Sequence, residues 1–131
     1  MSVNWKFRLV ATLAVLFGAL TIASGGYALF GGEAAQAAVG DAVPFVLWFN
    51  FAAGFAYVVA GVGLWQQTRW GAIVSSLIAV ATIIVCAAFG FHVLSGGAYE
   101  LRTVGALALR SLIWISIAVF GWRILRPGAT P

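Results

Sequence analysis

The sequence predicts an all-α, polytopic membrane protein built as an up-down bundle of four transmembrane helices. Of its 131 residues, 63% are hydrophobic and 8% are charged. Average soluble domains are about half apolar and about a quarter charged. The mean hydropathy is +1.07. Residues 9–32, 42–68 and 70–99 contain no Asp, Glu, Lys or Arg, and each run exceeds the roughly 20 residues that span a bilayer. These features exclude a soluble or a disordered chain.

The first span is predicted over residues 7–30, directly after the basic residues Lys6 and Arg8. A cleaved signal peptide is the alternative for this segment, because Ala35-Gln36-Ala37 resembles a small-residue cleavage site. The apolar stretch before that site is about 22 residues long, whereas signal peptides use about 7–15. We therefore expect a retained transmembrane helix.

The second and third spans are predicted over residues 43–65 and 70–95, and Gly96-Gly97 is expected to end the third helix. The fourth span is less obvious, because the uncharged run 111–122 covers only about 18 Å as a helix. To cross a bilayer this helix must run from about residue 103 to about residue 125, which places Arg110 inside the membrane. Glu100 is expected in its opening turn, where the helix dipole favours a carboxylate.

The distribution of Lys and Arg predicts that both termini are cytoplasmic. With the N-terminus inside, the inner side carries five basic residues: Lys6, Arg8, Arg69, Arg123 and Arg126. The outer side carries Arg102 and Arg110 together with the three acidic residues, Glu33, Asp41 and Glu100. We expect a single integral domain over residues 1–131, located in a bacterial inner membrane.

Small and weakly polar residues form helical stripes that predict close helix packing. In the second span, Asn50, Gly54, Tyr57 and Gly61 share one helix face. Comparable stripes lie on the first and third spans. They are expected to pack the bundle, and they could also contact a second copy of the chain or a larger membrane complex.

One polar residue from each predicted span falls in the outer half of the membrane, and together they predict a polar layer. These residues are Ser24, Asn50, His92 and Arg110, with Asp41, Glu100 and Arg102 just above them. A buried arginine is costly, so Arg110 should face the bundle and find acceptors on Asn50, Ser24, Asp41 or Glu100. The alternative is an Arg110 side chain that reaches upward to a loop carboxylate.

We expect this layer to bind a polar or anionic, lipid-like small ligand through Arg110, Arg102, Asn50 and His92, with Glu100, Ser24 and Asp41 nearby. The alternatives are an accessory or assembly subunit of a larger membrane complex and, less favoured, a small solute or ion transporter. No nucleophile–base pair, phosphate loop or dicarboxylate pair within a span is visible, so an enzyme is not expected. No cofactor, metal or nucleic-acid partner is expected either, whereas membrane lipids are.

Overall fold

A computed structural model describes residues 2–41 and 43–125 of the chain, and the described part folds into five helices. The helices are α1 (Ser2–Phe30), α2 (Glu33–Val39), α3 (Pro44–Trp65), α4 (Arg69–Leu94) and α5 (Leu101–Leu125). Four segments are long and apolar enough to span a membrane: Trp5–Phe30, Pro44–Trp65, Arg69–Leu94 and Leu101–Arg123. The prediction of an all-helical chain with four such helices is confirmed, and the predicted bounds agree within two residues. Arg126 lies outside the described residues.

The connection between the first two spans contains the short helix α2, which the hydropathy pattern does not reveal. Its sequence, EAAQAAV, is rich in alanine, the residue with the highest helix propensity. Gly32 and Gly40 flank it with φ values of 82° and 60°, a conformation that favours glycine. Ala35 is fully buried, so α2 packs onto the bundle.

The end of α4 is a Schellman motif built on the predicted glycine pair. Gly96 has a φ of 87°, and its N–H donates to the Val93 carbonyl oxygen at 3.0 Å. The Gly97 N–H donates to the His92 carbonyl oxygen at 2.9 Å. Helix α5 then begins at Leu101, so Glu100 lies just before the opening turn and not in it, which corrects the sequence-based expectation.

Helices α1 and α3 pack with their backbones in close contact. A Cβ atom added at Gly18 would lie 2.8 Å from the Gly54 carbonyl oxygen, and one at Gly61 would lie 3.0 Å from the Ala11 carbonyl oxygen. Residue numbers rise along α1 as they fall along α3, so the two helices are antiparallel. Such close approach is the usual role of small residues between apolar helices.

Helices α4 and α5 are joined by two polar side-chain contacts and by apolar packing that includes Phe89 and Leu107. Trp122 Nε1–H donates to Ser76 Oγ at 2.6 Å, and Cys86 Sγ lies 3.3 Å from Ser111 Oγ. Tyr57 of α3 and Trp114 of α5 are fully buried in the centre of the molecule. Their rings stack with centroids 4.8 Å apart, so this core joins α3 to α5, and the Tyr57 ring lies beside Arg110.

The packing leaves space between α1 and α5. The closely packed helix pairs of the described chain are α1–α3, α3–α4, α4–α5 and α1–α2. Side chains of α1 and α5 meet at one end, where the Phe7 and Phe120 ring centroids lie 5.1 Å apart, and again where Arg110 Nη1 donates to Thr21 Oγ1. At the other end α1 stops and α3 and α5 begin, and we call this the α2 end of the bundle.

Candidate functional site

A pocket of about 290 Å³ lies at the α2 end, between α1, α3 and α5 and against the last residue of α2. Small and aliphatic side chains form much of its wall, including Ala28, Val39 and Leu47. The polar residues that line it are Thr21, Ser24, Asn50, Glu100, Arg102, Thr103 and Arg110. An apolar cavity with a few convergent polar groups is the usual form of a small-ligand site.

The guanidinium group of Arg110 is held by two other helices. Its Nη1 donates to Thr21 Oγ1 of α1 and to Tyr57 OH of α3, both at 3.2 Å. Its Cζ atom lies 5.1 Å from the ring centroid of Phe17 and 5.9 Å from that of Tyr57, within cation–π range. Arg110 therefore links α5 to α1 and α3.

These acceptors differ from the ones that the sequence suggested. Ser24 Oγ–H donates to the Thr21 carbonyl oxygen of its own helix at 3.3 Å. Among the described residues, no carboxylate forms an ion pair with Arg110 and Asn50 forms no hydrogen bond with it. The sequence did hold a signal for the true acceptors, since Thr21 shares a helix face with Gly18 and Gly25, and Tyr57 shares one with Gly54.

Two residues of the pocket wall carry buried polar atoms that lack a partner. Arg110 Nε, a donor, and Asn50 Oδ1, an acceptor, form no hydrogen bond with any described residue. Nearly all buried polar groups in proteins are hydrogen-bonded, and leaving one unpaired costs about 1–3 kcal/mol. The pocket wall thus contains one unsatisfied donor and one unsatisfied acceptor, both covered by neighbouring atoms in this structure.

A column of stacked aromatic rings supports the guanidinium. Phe17 and Tyr57 stack with centroids 5.3 Å apart and an interplanar angle of 4°. Tyr57 and Trp114 stack at 4.8 Å and 29°. Offset-stacked rings at such spacings are favourable, and Tyr57 and Trp114 are fully buried. This column restricts the movement of Arg110 toward the bundle core.

Glu100 and Arg102 hold the C-terminal end of α2 against the pocket. The Asp41 N–H donates to Glu100 Oε2 at 2.9 Å, and Arg102 Nη2 donates to the Ala38 carbonyl oxygen at 3.0 Å. Both side chains also line the pocket. They therefore form part of its wall and tie α5 to the segment that follows α2.

His92 and Asp41 lie elsewhere. His92 Nε2 lies 2.8 Å from the Ala98 carbonyl oxygen, and its ring meets Phe45 edge to face with centroids 6.3 Å apart. Neither residue is among the described residues that line the pocket. The structure thus brings together Ser24, Asn50, Glu100, Arg102 and Arg110. The ligand-binding roles expected for all seven residues stay predictions.

The described residues contain no group of three or more His, Cys, Asp or Glu side chains that could hold a metal ion. A second hollow, of about 310 Å³, lies on the outside of α1 and α3 near Ala11, Gly61 and Trp65, and no charged residue lines it. The pocket at the α2 end is therefore the better candidate for polar recognition.

Comparison of the chain with protein-family models, curated proteins and solved structures finds no match.

Proposed function

We propose that the chain crosses a bacterial inner membrane as an up-down four-helix bundle with both termini in the cytoplasm. Four apolar helices of spanning length support the membrane assignment. The excess of Lys and Arg near the N-terminus, at the first residue of α4 and at the end of α5 supports the orientation. In this orientation the α2 end faces outward.

We also propose that the pocket at the α2 end binds a small polar or anionic, lipid-like ligand in the outer half of the membrane. The observation that carries this proposal is the incomplete pairing of Arg110, whose Nη1 has two hydroxyl acceptors while its buried Nε has none. No acidic side chain among the described residues forms an ion pair with it. A cation at membrane depth is costly without a partner, and an anionic ligand would supply one.

The binding proposal is tested with Arg110→Gln, which removes the charge while retaining a polar side chain. Protein extracted from native membranes is analysed by mass spectrometry for copurifying small molecules and lipids. We expect a ligand that the wild-type protein retains and Arg110→Gln loses. Arg123→Gln, which removes one charge from the exposed end of α5, is the matched control and should retain it.

Two results would contradict the binding proposal. One is identical retention by wild-type protein and a folded Arg110→Gln variant. The other is a stoichiometric larger complex that Arg110→Gln leaves intact and that contains no bound small molecule. The second result would favour the accessory-subunit hypothesis.

The orientation is tested with single cysteines in a Cys86→Ser background. A membrane-impermeant maleimide should label Asp41→Cys in spheroplasts and should label Gln66→Cys only after the membrane is opened. The reverse pattern would overturn the proposed orientation and would place the pocket in the cytoplasmic half.

A further inference from the structure

We propose that the ligand of this pocket is a phosphodiester lipid with a single negative charge and a hydroxyl in its head group, and that it enters sideways between α1 and α5. This inference rests on the proposed binding function and adds the ligand class and the route. It follows from the free edge of Arg110, the free acceptor of Asn50, the charge of the pocket wall and the arrangement of the helices around it.

The hydrogen bonds of Arg110 leave one edge of the guanidinium unoccupied. Both recorded bonds use Nη1, and within the described chain Nε and Nη2 have no acceptor. The N–H bonds of Nε and Nη2 point side by side, in the arrangement that matches two oxygens of a phosphate or carboxylate group. Arg110 lines the pocket, but its Nε atom is covered by neighbouring atoms, so a ligand pairs with this edge only when the side chain turns toward the pocket. The bonds of Nη1 to Thr21 and Tyr57 keep the rest of the guanidinium at the pocket wall.

The unpaired acceptor of Asn50 indicates that the ligand also carries a hydrogen-bond donor. Asn50 lines the same pocket, and its Oδ1 atom is covered by neighbouring atoms and accepts no hydrogen bond from any described residue. An anionic group alone would satisfy Arg110 and leave this acceptor unpaired. A head group with a hydroxyl beside its anionic group would satisfy both, so the two orphaned atoms together select a hydroxylated anion.

The net charge of the pocket wall favours a ligand that carries a single negative charge. Its charged residues are Arg102, Arg110 and Glu100, which sum to +1. Arg102 and Glu100 are both engaged with backbone groups after or within α2. A phosphodiester carries one negative charge at neutral pH and matches this balance, whereas a phosphomonoester carries about −1.5 to −2.

The surrounding helices indicate the direction of entry. The bonds of Glu100 and Arg102 hold the end of α2 against the pocket, and the Phe7–Phe120 contact joins α1 to α5 at the far end of the bundle. The hydrogen bond from Arg110 to Thr21 also joins these two helices, which are not among the closely packed helix pairs. The pocket lies between them on the α2 side of that bond. The space of about 290 Å³ is at the low end of ligand pockets, so it suits a head group whose acyl chains stay in the bilayer.

The experiment measures lipid retention by native mass spectrometry, with delipidated protein in dodecyl maltoside micelles. The two lipids are phosphatidylglycerol and phosphatidylmethanol with the same acyl chains, which share the phosphodiester charge and differ in the head-group hydroxyls. Wild-type protein should favour phosphatidylglycerol about 5-fold, the effect of one net hydrogen bond. Asn50→Leu should bring this ratio close to one while still retaining both lipids.

Arg110→Lys is the second variant, because it keeps the charge and removes the paired N–H edge. It should weaken retention of both lipids about 10-fold or more, since two charge-assisted bonds are replaced by a point charge. Arg123→Gln should behave as wild type. Lipid that binds elsewhere on the surface of the helices contributes equally to the wild type and to each variant, so these comparisons remove its contribution to the measured retention.

Three outcomes would overturn the inference at different points. Equal retention of the two lipids by wild-type protein would remove the hydroxyl requirement. Displacement of the lipid by an equal concentration of water-soluble glycerophosphoglycerol would show that the acyl chains and the sideways route are unnecessary, while leaving the pocket as an anion site. Retention of both lipids that is the same in wild type, Arg110→Lys and Asn50→Leu would overturn the proposed function itself.

Discussion

The tight contact between α1 and α3 predicts that Gly18→Ala destabilises the protein. The new Cβ would lie 2.8 Å from the Gly54 carbonyl oxygen, 2.8 Å from Val58 Cγ2 and 3.0 Å from Tyr57 Cβ. Favourable contacts between carbon atoms lie at about 3.5–4.0 Å, so the two helices must separate by roughly 0.5 Å. Overpacking of this kind costs about 1–3 kcal/mol, and the higher helix propensity of alanine returns about 0.5–1 kcal/mol. The free energy of unfolding should therefore fall by about 1 kcal/mol, and by at most about 2.5 kcal/mol.

The control is a glycine-to-alanine substitution at a position where the structure has room for the added methyl group. A Cβ at Gly90 of α4 meets no atom of the described chain within 4 Å, so Gly90→Ala should raise the free energy of unfolding by about 0.5–1 kcal/mol. Unfolding is followed by far-UV circular dichroism during titration of dodecyl maltoside micelles with dodecyl sulfate. Equal effects of the two substitutions would refute the packing argument, because helix propensity alone would then explain both.

Three further predictions concern the anchor of Arg110, the tie to α2 and the end of α4. Tyr57→Phe keeps the stacked ring but removes an acceptor of Arg110, and should lower the free energy of unfolding by about 1–2 kcal/mol in the same titration. Glu100→Ala removes the acceptor of the Asp41 amide, whose hydrogen exchange, measured by mass spectrometry, should accelerate about 2- to 10-fold. Gly96→Ala should cost about 1 kcal/mol through its left-handed backbone alone, since its Cβ would meet no described atom within 4 Å.

Each of these predictions has a result that contradicts it. An unchanged unfolding midpoint for Tyr57→Phe would mean that the Tyr57 hydroxyl does not hold the guanidinium. Unaltered exchange at Asp41 in Glu100→Ala would mean that the end of α2 is held by other contacts. A neutral or stabilising Gly96→Ala would contradict the Schellman geometry at the end of α4.

The four long helices could be predicted because the thickness of a bilayer sets their length. The end of α4 could also be predicted, since the glycine pair Gly96-Gly97 follows it. Helix α2 could not be predicted in this way. It is seven residues long and alanine-rich, so it produces no apolar period, and its burial depends on the surface that α1 offers.

The location of Arg110 was predictable, whereas its partners were not. The uncharged run 111–122 that follows Arg110 is too short to span a bilayer. The membrane-spanning helix must therefore include Arg110. The choice between Thr21 and Ser24 depends on the rotation of α1. Three residues apart on a helix, their hydroxyls point about 60° apart and differ by about 4.5 Å along the axis. Hydropathy does not report how α1 is rotated or how far it is shifted relative to α5, so it does not tell which hydroxyl meets Arg110.

The three-helix link made by Arg110 has a consequence for the biogenesis of the protein. During synthesis α5 emerges after α1 and α3, and among the described helices it alone carries a charged residue deep within its apolar length. The hydroxyl acceptors of that residue belong to α1 and α3, which are made earlier. A separate α5 would expose the guanidinium to hydrocarbon, at a cost of up to about 2.5–3.5 kcal/mol on insertion scales. The earlier helices thus form the site that receives α5, and its integration into the membrane should depend on their presence.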